Sequence, residues 1–284
     1  MKRFFNSESN FVSVIVPTYK PNQFLFDCLH SLYHQTISHN NFEVIVVLNG
    51  EKFPYYEEIN DYIKQLEKSN ISLYYSAQKG VSFARNVGLE NASGSGIVFI
   101  DDDDIISFSY LEELLSVWDN KSLVIANMKT FLDDISSTGA DYVTRAYEKC
   151  KTNDHCTVFK ASSFFSSACG KLIPTRAIGN IRFDLKMKRS EDSVFMVEIA
   201  ENINSILIAS ESAIYYRRLR EGSASRSNIP FKELLFTSLY EIKRYLSFCN
   251  CSIHHCNIIF IFFRILASIK NLTLATLKES SNHL

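Results

Sequence analysis

Four short apolar runs, each ending in polar residues and each followed by a helical or acidic stretch, restrict the first hundred residues to one kind of architecture. Phe11 to Val16 (FVSVIV), Phe42 to Leu48 (FEVIVVL), Ile71 to Ser76 and Gly96 to Ile100 (GIVFI) have the length of buried strands. Between the first two, Asn22 to Gln35 carries Phe24, Leu25, Cys28, Leu29, Leu32 and Tyr33 at helical spacing, with Pro21 near its start. Pro54 to Ser69 is a charged amphipathic stretch, and Ser82 to Asn91 is a further helix. Such alternation predicts βαβ crossovers and an α/β fold with a mostly parallel sheet. Ligands of such sheets sit at the carboxyl ends of the strands. Pro17-Thr18-Tyr19, Asn49-Gly50 and Asp101 to Asp104 occupy three of those ends, so they are expected to converge.

Beyond Asp104 the pattern loosens. Tyr110 to Trp118 reads as a helix, Leu123 to Met128 as a strand, and Asp133 to Asp154 as polar and poorly periodic. Glu191 to Glu201 is a helix; Ile206 to Ala209 and Ala213 to Arg217 are short strands. Two long helical patterns follow, Phe231 to Phe248 and Asn257 to Leu277. The division expected is an α/β unit over 1–228 and a C-terminal helical extension over 229–284. The apolar run Ile258 to Phe263 is far shorter than the roughly 18 residues that span a bilayer. With Arg264, Lys270 and Lys278, the segment 254–278 reads either as a helix in the plane of a membrane surface or as one packed on the core or another subunit.

The 284 residues are 46% hydrophobic, with 22 Phe and 14 Tyr, enough for a large core. Lys and Arg total 30 against 31 Asp and Glu, and this balance argues against nucleic acid as a partner. Seven cysteines, an odd number, and a polar segment Met1 to Asn10 imply free thiols in a reducing cytoplasm. The cluster Cys249, Cys251, His254, His255, Cys256 is too tightly spaced for opposed C-x2-C zinc ligands and reads as thiols and a polar helix start.

Four adjacent aspartates after an apolar strand repel one another, and a cation relieves that repulsion. Mg2+ or Mn2+ takes one or two carboxylates together with substrate phosphates. If the segment is extended, Asp101 and Asp103 point to one side and form an Asp-x-Asp pair. The competing role is an acidic cap on the next helix, for which Asp104 is placed.

Val12-Ser-Val-Ile-Val-Pro-Thr-Tyr19, Gly80-Val-Ser-Phe-Ala-Arg-Asn86 with Gly88, and Phe99-Ile-Asp-Asp-Asp-Asp104 together resemble the family 2 glycosyltransferases of the GT-A fold. Gly170-Lys-Leu172, Arg182-Phe183, Glu191-Asp192 and Tyr215-Tyr-Arg-Arg218 with Gly222-Ser223 extend the resemblance to about residue 226, in the variety seen in bacterial polysaccharide synthesis. It implies a nucleotide-binding half over about 11–104 and an acceptor half over about 105–228. It further implies that Pro17, Thr18 and Tyr19 line the base pocket, that Gly80 allows close backbone approach, and that Arg85 and Asn86 reach the nucleotide. Asn49 falls where many members carry an aspartate that reads uracil; an amide offers both a donor and an acceptor to a pyrimidine edge. Asp101, Asp102 and Asp103 fall at the donor, with Asp103 as direct metal ligand and Asp101 near the ribose or a metal-bound water. Asp192 is implied as general base, with Glu191 and Lys171 on the acceptor side. Arg217, Arg218 and Arg226 flank Glu221 to Ser225, implying a lid over the diphosphate, with Arg218 as a donor contact. The expected partners are a nucleotide-sugar, a UDP-sugar first, and a glycan or lipid-linked acceptor on the cytoplasmic membrane face. A nucleotidyltransferase would need a glycine-rich loop where Pro17-Thr-Tyr-Lys-Pro21 stands, and a non-catalytic scaffold would have no use for Asp101, Asp103 and Asp192.

Overall fold

The computed structural model describes residues 10–66, 70–151, 156–157, 160–220, 230–249, 260–270 and 272–273. Its first part alternates as the pattern predicts: β1 (Val12–Thr18), α1 (Gln23–Tyr33), β2 (Phe42–Asn49), α2 (Tyr55–Gln65), β3 (Ile71–Ser76), α3 (Val81–Asn91), β4 (Gly96–Phe99). There follow β5 (Ile105–Ile106), α4 (Tyr110–Val117), β6 (Leu123–Ile125), β7 (Asn127–Phe131) and α5 (Tyr142–Lys151). The rest is β8 (Lys171–Pro174), α6 (Thr175–Ile178), α7 (Glu191–Ile199), β9 (Ile206–Ile208), β10 (Ile214–Arg218), α8 (Phe231–Cys249) and a helix α9 over 260–270. The large sheet has the order β3-β2-β1-β4-β8-β6-β9, and β5-β10-β7 form a second, small sheet. β1 runs parallel to β2 and β4, β2 to β3, and β6 to β9; β8 is antiparallel between β4 and β6.

β1 and β4 are buried along their whole length, as strands covered on both faces must be. α1 starts where Asn22 accepts the Phe24 N–H, and it buries Leu25, Cys28, Leu29 and Leu32. α3 lies so close to β1 that a Cβ on Gly88 would stand 2.4 Å from Ile15 Cγ2, so only glycine fits.

Three expectations need correction. The strand read over 123–128 divides at Ala126, whose N–H donates to Gly170 O, whereas the Asn127 N–H donates to Ala213 O; the chain changes sheet there. The polar stretch 133–154 contains α5, which buries Val143, Ala146, Tyr147 and Cys150 at helical spacing. Cys150 and Cys156 form a disulfide, with Cα atoms 5.3 Å apart, so the free-thiol reading fails for this pair; Cys28 and Cys169 are free and buried.

No helix among the described residues is long and apolar enough to cross a membrane. The Cys251 to Cys256 cluster, Lys278 and the lid segment Glu221 to Arg226 lie outside the described residues.

Candidate active site

The strand ends converge, and Asn49 binds them together. Its Nδ2 donates to Thr18 O at 2.7 Å, and its Oδ1 accepts the Gly80 N–H at 2.9 Å. The amide therefore joins the ends of β1 and β2 to the start of α3. It is buried, and both of its polar atoms are engaged within the chain rather than left as a free edge. Gly80, at φ 141, begins α3 in a conformation that favours glycine. Pro17 and Thr18 are buried beneath the site, while Tyr19 is half-buried. The Tyr19 ring lies against Gly50, where an added Cβ would stand 2.9 Å from the ring. The Lys79 ammonium sits 4.4 Å from the centre of the same ring. The Asn86 amide exchanges two hydrogen bonds of 2.9 Å with the Phe183 backbone and clamps the segment around Phe183 to α3.

Asp101 to Asp104 form a turn, closed by the Asp104 N–H donating to Asp101 O at 3.1 Å, so alternation along an extended strand does not apply. Asp104 is no helix cap either, because α4 begins only at Tyr110. Its buried carboxylate accepts the Tyr215 hydroxyl at 2.6 Å and the Arg218 N–H at 2.8 Å, tying the turn to β10. Asp102 accepts the Thr18 hydroxyl at 2.5 Å, and burial pushes its carboxyl up to about 6. Burial, then the neighbouring Asp101 charge, raises the Asp103 carboxyl as well. Asp103 pairs with Arg220 Nε at 2.6 Å, a partner that the motif reading misses. Arg218 is a strut rather than an open diphosphate contact. Its guanidinium lies 4.2 Å from the Phe24 ring centre and 4.6 Å from that of Phe131, and Nε donates to Asp103 O at 3.0 Å. Arg217 pairs with Asp141.

Arg85, in the first turns of α3, is 3% exposed and meets three carboxylates. Nη2 donates to Asp101 Oδ1 at 2.9 Å, and Nη1 donates to Asp192 Oδ1 and to Glu191 Oε1, the latter at 3.4 Å. The guanidinium is paired with carboxylates of its own chain. It connects the aspartate turn with the start of α7. Burial alone would lower its pKa, but Asp192 and Asp101 hold it above the ordinary arginine value. Asp192 Oδ2 accepts the Ala168 N–H at 3.1 Å, so both carboxylate oxygens have fixed partners. Burial, reinforced by Asp192 and opposed by Arg85, brings Glu191 up to about 7. Ser190 enters α7 at φ 58, a strained conformation for serine.

Lys171 is wholly buried rather than set on an open acceptor face. Its Nζ donates to Ser167 O and Cys169 O, each at 2.6 Å, and burial pushes it down to about 8. It braces the loop that presents the Ala168 N–H to Asp192.

Among the described residues no group of three or more His, Cys, Asp or Glu is arranged to hold a metal. Two carboxylates of one turn, Asp101 and Asp103, nonetheless offer the oxygen donors that Mg2+ or Mn2+ takes when substrate phosphates complete its sphere.

The family model described as "Glycosyl transferase family 2" matches residues 13–171, more than half of the chain. The chain belongs to family 2 of the glycosyltransferases. Enzymes of this family commonly use divalent metals. Similar proteins include glycosyltransferase GlyA of Streptococcus pneumoniae, 28% identical over 226 residues, which are 76% of this chain and 31% of that protein. Poly(ribitol-phosphate) beta-N-acetylglucosaminyltransferase TarS of Staphylococcus aureus is 27% identical over 236 residues, 82% of this chain and 39% of TarS. The chain thus spans well under half of either relative. The crystal structure of TarS 1-349 in complex with UDP-GlcNAc superposes with a TM-score of 0.73 at 23% identity, covering 91% of this chain and 72% of that one. That likeness gives the family 2 chain its GT-A fold. Mannosyltransferase PcManGT from Pyrobaculum calidifontis, solved with GDP-Man and Mn2+, has a TM-score of 0.60 at 14% identity over 93% of this chain and 70% of that one.

Proposed function

We propose that this chain transfers a sugar from a nucleotide-diphosphate donor, in the first instance a UDP-sugar, to a hydroxyl of a glycan or lipid-linked acceptor in surface polysaccharide synthesis, with inversion. The observation that carries this is the single buried guanidinium of Arg85 between Asp101 and Asp192. It holds a candidate base and a candidate diphosphate site at fixed separation. TarS, named for N-acetylglucosaminyl transfer and solved with UDP-GlcNAc, supports the choice of donor class.

In this reading Asp192 accepts the acceptor's hydroxyl proton on a carboxylate oxygen, each of which keeps a further lone pair. The acceptor oxygen bonds to the anomeric carbon as the bond to the donor phosphate oxygen breaks on the opposite face. The electron pair leaves with the nucleotide diphosphate, and configuration inverts without a covalent enzyme intermediate. Proton removal of this kind contributes about 10²–10⁴-fold in rate. Asp103 and Asp101 would hold Mn2+ or Mg2+, which supplies positive charge for the leaving diphosphate. Tyr19 and Thr18 form the wall of the base pocket, kept in place by Asn49. The catalytic unit is 1–228, with a donor half over 11–104 and an acceptor half over 105–228.

The test is a panel of UDP-, GDP- and CMP-sugars incubated with the full chain and Mn2+, following nucleotide release with and without chelator. Metal-dependent release from one donor, lost in Asp103→Ala, is expected; Asp192→Asn should lose transfer while still binding the donor. Calorimetric titration that finds no nucleotide bound in the presence of Mn2+ would overturn the reading.

A further inference from the structure

Each of the last two described helices has two chemically different faces. The inner face of α8 buries Ser238, Glu241 and Tyr245, spaced three and four residues apart. Glu241 accepts the Ser268 hydroxyl of α9 at 2.9 Å and the Tyr245 hydroxyl at 2.7 Å. Arg264 of α9 donates to Ser193 of α7, and Phe260 meets Phe165 at 5.2 Å between ring centres. Arg244 of α8 pairs with Asp184 at 2.9 Å and with Glu198 at 3.0 Å. Both helices are therefore seated on the transferase body by polar and aromatic contacts on one side.

Their other sides are apolar and exposed. Along α8, Lys232, Phe236, Leu239, Lys243 and Leu246 recur at four, three, four and three residues, so they share one stripe. Phe236 is 73% exposed, Leu239 55% and Leu246 53%. Along α9, Phe262, Phe263, Leu266, Ile269 and Lys270 lie opposite the buried Phe260, Ile261 and Ser268. Phe262 is 56% exposed and Phe263 55%. Isolated exposed apolar residues are ordinary, but a whole exposed stripe on each of two helices joined by the Glu241–Ser268 bond is of the kind that marks an interaction surface. Its charged members are the three exposed lysines 232, 243 and 270, and α9 contains no acidic residue over 260–270. Glu233 is the one exposed acid on α8, and it lies off the stripe.

Large apolar side chains flanked by lysines, on helices not long and apolar enough to span, match the boundary between headgroups and acyl chains. Lysines at that depth extend their stems along the apolar surface and leave the ammonium at the phosphates. An anionic leaflet adds attraction for each of them. We propose that the outer faces of α8 and α9 bind in the plane of a membrane surface rich in anionic lipid. The inference stands apart from the transfer reaction, because no residue of the site contributes to the patch. A protein partner or a second copy would bury the same apolar residues, but neither calls for lysines without acids.

The test is sedimentation of the full chain with vesicles of phosphatidylcholine alone and with added phosphatidylglycerol, at low and high salt. Phe236→Glu with Phe263→Glu should lower the pelleted fraction at least tenfold, and Lys232→Glu with Lys243→Glu and Lys270→Glu should abolish the preference for phosphatidylglycerol. Thermal unfolding of each variant monitors folding. Leu246→Ser with Phe262→Ser replaces the first pair if that pair unfolds. A wild-type chain that stays in the supernatant with anionic vesicles overturns the proposal, as does pelleting that survives in every folded variant. A dimer that the phenylalanine variants disperse, with no vesicle binding, assigns the patch to a second copy instead.

Discussion

Arg85→Met removes the one charge shared by Asp101, Glu191 and Asp192 while keeping most of the side-chain volume. Taking one partner from a buried ion pair costs about 3–5 kcal/mol. The Asp101 carboxylate is 41% exposed, so water screens that arm of the contact and its share is small. Glu191 and Asp192 side chains are 12% and 16% exposed, and the loss is concentrated on them. The remainder is about 3 kcal/mol at the start of α7, about two powers of ten if it falls on the reaction barrier. Donor turnover by the wild type, Arg85→Met and Arg85→Lys, measured from pH 5.5 to 9, separates the causes. A fall in kcat of about a hundredfold is expected for methionine. Lysine should recover part of it, because an ammonium restores the charge without the fork that serves several carboxylates at once. Arg85 also opposes the upward shift of Glu191, so its removal should move the titration of Glu191 toward higher pH. An Arg85→Met enzyme with kcat within threefold of the wild type and the same profile refutes the hub.

Glu191, at about 7 in the folded chain, keeps its proton to higher pH than it does unfolded. Its contribution to stability is therefore fully present below about pH 4.5 and is lost as pH rises through 7. Glu191→Gln should flatten the decline of Tm over that window, and an unchanged slope would show that the group does not titrate as described. Lys171→Met leaves the Ser167 and Cys169 carbonyls without their donor, partly offset by removal of a buried charge. Urea unfolding should show about 2–4 kcal/mol of lost stability with an unchanged m-value; a more stable variant contradicts the brace.

The α/β alternation is legible because each strand of the first half is a mainly apolar run and the helices between them carry apolar stripes. These are local signals. β8 escapes them: Lys171-Leu-Ile-Pro174 is short and carries a lysine and a proline, and it is a strand because β4 and β6 border it on both sides. The stripe of α5 is present but diluted by Arg145, Glu148, Lys149 and Lys151. In the candidate site, residue types are legible and partners are not. Arg85 reads as a nucleotide contact until the fold brings Glu191 and Asp192, more than a hundred residues away, against it. Arg220 stands two positions beyond Arg218 and has no signal of its own until Asp103 is found beside it. Asn49 is legible as a site residue, yet its bonds to Thr18 and Gly80 depend on how two strand ends meet a helix start.

Gly88 follows Arg85 by three positions and so lies on the same flank of α3, where it touches Ile15. A methyl group there would overlap Ile15 Cγ2 and force α3 outward from β1. Arg85 would withdraw with its helix, because its guanidinium is already at full depth against Asp101 and Asp192. The alignment of Asp101 with Asp192 thus has a machining tolerance smaller than one methyl group, and the surface that sets it is a hydrocarbon contact between α3 and β1.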